Sequence, residues 1–103
     1  MVVTAVENEL APNEFMLSQN YPNPFNPSTK IQYSLEKSGM VSLRVYNMIG
    51  DEVATLVNDH QEAGSYSVPF NSNQGTLSLA SGVYFYRLET ESFVSIKKLT
   101  LMK

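Results

Sequence analysis

A chain of 103 residues has room for one domain and one hydrophobic core. It contains no cysteine, which excludes a disulfide framework, a thiolate nucleophile, an iron–sulfur site and a Cys-ligated zinc. A net charge of −3 argues against nucleic acid as a partner, because phosphate-binding domains carry clustered Lys and Arg.

The first ten residues have neither a basic stretch nor a long apolar one, so they do not read as an export leader. Residues 1–13 read instead as the remnant of a linker, with one domain over residues 14–103. No apolar run approaches the ~20 residues that cross a bilayer, so no membrane span is expected. Apolar residues recur with period two, and β-branched and aromatic side chains are plentiful, so the chain reads as all-β with no helix.

A first strand is expected over residues 14–20. The segment Asn20-Tyr21-Pro22-Asn23-Pro24-Phe25-Asn26-Pro27-Ser28 is different in kind. Its three prolines lack amide donors and stiffen the chain, which keeps it out of the middle of a sheet. Tyr21 and Phe25 carry enough apolar surface to pin it across an end or edge of the fold. It reads as a rigid crossover protecting a sheet edge, or as a preorganised recognition surface.

Ile31, Tyr33 and Leu35 alternate with polar neighbours, and Val41, Leu43 and Val45 do the same. The link Glu36-Lys37-Ser38-Gly39 is short enough for an antiparallel hairpin between them. A turn at Met48-Ile49-Gly50-Asp51, where Gly50 supplies positive φ, leads into a strand at 52–58 and a second turn at 59–64. In the next strand Tyr66, Val68 and Phe70 face one way, and Pro69, lacking an amide donor, makes it an edge strand or ends it. Residues 76–79 have no clear assignment. Residues 83–90 form the most apolar strand, with Tyr84, Tyr86 and Leu88 on one face, and are expected at the centre of a sheet.

The last strand changes phase: Val94 and Ile96 fall on even positions, Leu99 and Leu101 on odd ones. A β-bulge at Lys97-Lys98 would turn both pairs toward the core. About seven strands with regular turn signals predict an immunoglobulin-like antiparallel β-sandwich.

Candidates for catalysis are few. His60 is the only histidine and falls in the expected turn at 59–64, away from any Ser-His-Asp arrangement. Asp51, Glu52, Asp59, Glu62, Glu89 and Glu91 fall at turns or strand ends, where they stay solvated, and form no carboxylate pair. Oxygen ligands for calcium exist at Asn58, Asp59 and Glu62 or at residues 71–74, without the alternating acids of an EF-hand. No catalytic, metal or cofactor site is assigned. Charge is informative in its distribution: the last seven residues hold three lysines and no acid, the rest four basic and ten acidic side chains. Lys97, Lys98 and Lys103 would offer a cationic edge to an acidic receptor, with Leu99 and Leu101 as anchors. Lysines on an edge strand also discourage edge-to-edge association. An exposed edge from Phe93 onward would still be able to pair with a second copy, which leaves the oligomeric state open.

Four blocks carry a family likeness: Asn20-Tyr21-Pro22-Asn23-Pro24-Phe25-Asn26-Pro27-Ser28-Thr29, Val45-Tyr46-Asn47-Met48-Ile49-Gly50, Ser81-Gly82-Val83-Tyr84-Phe85-Tyr86-Arg87-Leu88 and Lys98-Leu99-Thr100-Leu101-Met102-Lys103. In order and spacing, from about Phe15 to Lys103, they resemble the type A C-terminal sorting domains of type IX (Por) secretion. The resemblance implies an immunoglobulin-like domain that catalyses nothing and ends a larger passenger protein. It further implies passage through the periplasm, recognition by an outer-membrane translocon, and removal by a surface sortase that joins the passenger to lipopolysaccharide. On that reading Gly82, Tyr84, Lys97, Lys98, Leu99 and Lys103 form the recognition set, and Tyr21, Pro22, Asn23, Pro24, Phe25, Asn26 and Pro27 the structural motif loop. Two departures stand out: Phe70 takes the place of a tryptophan common before the Gly-x-Tyr block, and the loop at 71–80 is long. The competing reading is an immunoglobulin-like spacer or carbohydrate-binding module of a secreted enzyme, with Tyr21 or Tyr46 stacking on sugar rings.

Overall fold

The computed structural model describes residues 14–73 and 78–103. The expected linker at 1–13 and half of the unassigned segment 76–79 lie outside the described residues. Within them the chain forms seven strands: β1 (Met16–Leu17), β2 (Ser28–Leu35), β3 (Gly39–Tyr46), β4 (Glu52–Gln61), β5 (Gly64–Asn71), β6 (Gly82–Glu89) and β7 (Val94–Leu101). One sheet has the order β1-β2-β5 and the other β4-β3-β6-β7, with every strand pair antiparallel. The fold is the expected β-sandwich.

Alternation builds the core. Ile31, Tyr33 and Leu35 of β2, Val41, Leu43 and Val45 of β3, Tyr84, Tyr86 and Leu88 of β6, and Leu99 and Leu101 of β7 are all buried between the sheets. As the pattern predicts, β6 is internal to its sheet and β5, with Pro69, is an edge. The turn before β4 also forms as read: Gly50 has φ +93°, and the Asn47 side chain accepts the amides of Ile49 and Asp51.

Three local expectations are corrected. The link at 36–39 is not a hairpin, because β2 and β3 belong to opposite sheets. Both strands have one apolar face, and arching over the core lets Leu35 and Val41 face it from two sides, whereas side-by-side pairing would need other strands to cover both. The strand that follows Gly50 runs on to Gln61, so His60 lies in β4 opposite Met40 and not in a turn. Finally, β7 has no bulge. It pairs with β6 in unbroken register from Glu89↔Val94 to Gly82↔Leu101, and Val94 and Ile96 stay on the solvent face. The irregularities fall in β4 instead, where Leu43↔Val57 is followed by Arg44↔Thr55 and Val45↔Ala54 by Tyr46↔Glu52. The two extra residues, Leu56 and Val53, pack partly against the core.

The proline-rich segment is fastened at its start by the central strand. The Tyr86 hydroxyl, fully buried, donates to the Ser18 carbonyl at 2.6 Å and accepts the Asn20 amide at 2.8 Å. The buried Asn20 side chain then donates to the Pro22 carbonyl and to Thr29 Oγ1, and Thr29 Oγ1 donates to the same carbonyl. These bonds close both ends of the segment on each other. Burial pushes the Tyr86 phenol up to about 12, against a smaller opposing effect of the Asn20 amide. Burial likewise raises Tyr33 to about 12, partly offset by its bond to Gln61 and reinforced by neighbouring Tyr66.

Replacing Tyr86 by Phe leaves the Ser18 carbonyl and the Asn20 amide without a buried partner. A loss of ~1–3 kcal/mol is expected by urea denaturation, as a lower midpoint at constant slope. Both phenols have folded pKa values above the unfolded value of 10.0, so their contribution is complete below pH 10 and lost as pH rises toward 12. Two of the six tyrosines are therefore expected to give a late phenolate absorbance step near pH 12, coincident with unfolding.

Candidate functional site

The C-terminal block is built on β7, and two other sequence blocks meet it there. The loop reaches it through Phe25, whose ring is buried beside Phe70 at 5.9 Å between centroids. Burying such a side chain contributes about 1.5–3 kcal/mol, enough to hold the loop tip in place. With the ring inserted, the Phe25 backbone lies parallel to the end of β7. Its amide donates to the Thr100 carbonyl at 2.9 Å, and its carbonyl accepts the Met102 amide at 3.0 Å. Asn23 Oδ1 accepts the Thr100 amide at 3.0 Å, and Gln19 Nε2 donates to the Lys98 carbonyl at 2.7 Å. The loop thus satisfies the outer edge of β7 from Lys98 to Met102.

On its inner edge β7 pairs with the Gly82-Val83-Tyr84 block of β6, Gly82 opposite Leu101 and Tyr84 opposite Leu99. Gly82 has φ +152°, in a region where a side chain is strained, although a Cβ there would meet nothing within 4 Å. The turn this allows lets the Tyr84 hydroxyl donate to the Ala80 carbonyl at 2.7 Å, while the Lys103 amide donates to Ser81 Oγ at 2.9 Å. The tail is therefore bound from both sides up to its last residue.

The lysines do not form a single patch. Strand alternation puts Lys97 half-buried on the inner face with Leu99, and Lys98 exposed on the outer face. Lys103 is exposed beyond the strand end. None of the three is in an ion pair among the described residues, where Arg44–Glu52 and Arg87–Glu89 are the pairs formed by arginine or lysine. Of the loop residues, Tyr21, Pro22, Asn23, Pro24, Asn26 and Pro27 are exposed and Phe25 is buried. Sequence reasoning missed Gln19 and Asn23 as partners of the C-terminal backbone. An asparagine between prolines is a signal for Asn23; nothing marks Gln19.

Other candidates stay apart. His60 is exposed, with Nδ1 3.8 Å from a Glu62 carboxylate oxygen. Among the described residues no group of three or more His, Cys, Asp or Glu side chains is arranged to hold a metal ion. Asn58, Asp59 and Glu62 lie along β4 and the corner after it, Asp59 accepting the His60 amide. Gln74, one of the second calcium candidates, lies outside the described residues. Tyr21 is highly exposed on a shelf with Pro22 and Pro69, while Tyr46 is half-buried on the other sheet, so the two rings form no joint platform. No helix among the described residues is long and apolar enough to cross a membrane.

Residues 19–102 match the family described as Secretion system C-terminal sorting domain. No curated protein matches the chain. The matched span is well over half the chain and includes the loop, the Gly82 block and β7, the three parts that the fold joins. A domain of this kind is part of a larger protein exported to the cell surface or the medium. The chain belongs to the C-terminal sorting domains of type IX secretion.

Proposed function

We propose that this domain is a non-catalytic export signal, read in its folded state by the outer-membrane translocon through β7 and the residues after it. The observation that carries this reading is the double attachment of the tail, to Phe25 and Asn23 on one edge and to β6 on the other. It fixes a short cationic segment on a rigid support, as recognition by another protein favours. Lys98 and Lys103 supply exposed charge, and Leu99 holds the strand in the core. Lys97, half-buried, offers its ammonium at the rim of the inner face. Gly82 and Tyr84 act by shaping the strand that supports β7. Passage through the periplasm, removal by a sortase and attachment of the passenger to the surface complete the proposed route.

A reporter carrying an ordinary signal peptide and ending in this domain is expected on the surface of a host with type IX machinery. Deleting residues 98–103 is expected to retain it in the periplasm, which fractionation would reveal. Because that deletion removes the buried Leu99 and Leu101, the informative variant is Lys98→Gln with Lys103→Gln. Both side chains are exposed, so the melting temperature is expected to change little while surface delivery falls several-fold. Full delivery by the folded double variant would remove the lysines from the signal.

A further inference from the structure

A two-sheet sandwich has four edge strands, and an unprotected edge is a template for another chain. Most of the edges here are protected: β1 is two residues long, β5 carries Pro69, β4 is interrupted by two bulges, and β7 is covered from Lys98 onward by the loop. Residues 94–97 and the amide of Lys98 have no such cover among the described residues, whereas the Lys98 carbonyl is held by Gln19. Their backbone direction follows from the covered half. Thr100 turns both its amide and its carbonyl toward the loop, so even-numbered residues of β7 direct these groups away from β6. Val94 and Ile96 therefore line the open edge with amides and carbonyls unshared among the described residues, and Lys98 adds its amide. Their side chains are apolar and face solvent, Val94 52 % and Ile96 58 % exposed.

We propose that this edge pairs antiparallel with the same edge of a second copy, about a two-fold axis at Ile96, merging two four-stranded sheets into one continuous sheet. The occupant follows from self-complementarity. The open groups run from Val94 to the Lys98 amide, so an axis at Ile96 uses them all, the Lys98 carbonyl being shared with Gln19, and sliding the partner toward the C-terminus runs into Gln19 and Phe25. In this register Ile96 meets the partner's Ile96, Val94 lies against the aliphatic stem of the partner's Lys98, and Ser95 opposes the partner's Lys97. An axis at Lys97 or Lys98 would set like charges directly opposite, so the lysines that discourage other registers permit this one. Charge also matches across the interface. Glu89, whose carboxylate is already paired with Arg87 of its own strand, is the neighbour of Val94 on β6, which puts it two strand spacings, about 10 Å, from the partner's Lys98, within reach of two long side chains. The partner's Lys98 would then share that carboxylate with Arg87. Lys98 makes no ion pair among the described residues of its own chain.

Sedimentation of the full 103-residue chain is expected to give a concentration-dependent dimer, and Ile96→Lys, which sets two ammonium groups at the axis, a monomer of unchanged melting temperature. Because the chain has no cysteine, Ile96→Cys reports the axis directly. Facing residues of an antiparallel pair have Cα atoms about 5.5 Å apart, within disulfide range, so mild oxidation is expected to convert most of this variant to covalent dimer. Met40→Cys, exposed on β3 away from the edge, is expected to stay largely uncrosslinked. A chain that is monomeric at millimolar concentration, a dimer that survives Ile96→Lys, or equal crosslinking of the two cysteine variants would overturn the proposal.

Discussion

The hydroxyl of Tyr86 is the contact on which the arrangement of the C-terminal block depends. It stands in the middle of an internal strand, fully buried, and holds the backbone on either side of Gln19. Unpaired, those groups would each cost about 1–3 kcal/mol in the interior, so the chain entering the proline-rich segment has one favourable path. Asn20, Thr29 and the Pro22 carbonyl then close the segment into a loop, and Phe25 follows into the core. Only with Phe25 inserted are its backbone groups in line with Thr100 and Met102. A residue of β6 thus governs, through the loop, whether the last strand has its outer edge satisfied.

The consequence is an unusual division of labour along β7. Its C-terminal half is attached on both edges and carries the exposed lysines of the proposed signal. Its N-terminal half has, among the described residues, one attached edge and two exposed apolar side chains. A recognition segment benefits from the first arrangement, since little entropy remains to be lost on binding. The second has no evident use in a lone monomer, where a polar pair would serve better.

The period-two pattern was sufficient to find β2, β3, β5 and β6 and to place β6 inside its sheet, because burial of alternate side chains is a local property of each strand, whereas the strand expected over residues 14–20 pairs only at Met16–Leu17. Pairing is not local. The four residues between Leu35 and Met40 span a hairpin or an arch equally well, and only competition among all strands for the core decides between them. The phase change between Ile96 and Leu99 is plain in the sequence, but two resolutions fit it, a bulge or a solvent-facing apolar pair. Unbroken pairing with β6 selects the second. For the proposed site, the resemblance to known sorting domains singles out the lysines and the Gly82 block, whereas the side chains that fasten the tail carry no such mark. Gln19 acts through its amide on a backbone carbonyl 79 positions away, a contact that leaves no mark on composition or spacing.

Hydrogen exchange at individual amides in the native protein tests most directly whether the loop clasps the C-terminal strand. Among the described residues the amides of Thr100 and Met102 donate to the loop alone, to Asn23 and Phe25, so they are expected to exchange slowly, close to the amides shared between β6 and β7. Exchange of these two at the rate of a free peptide, with the β6 amides still protected, would contradict it.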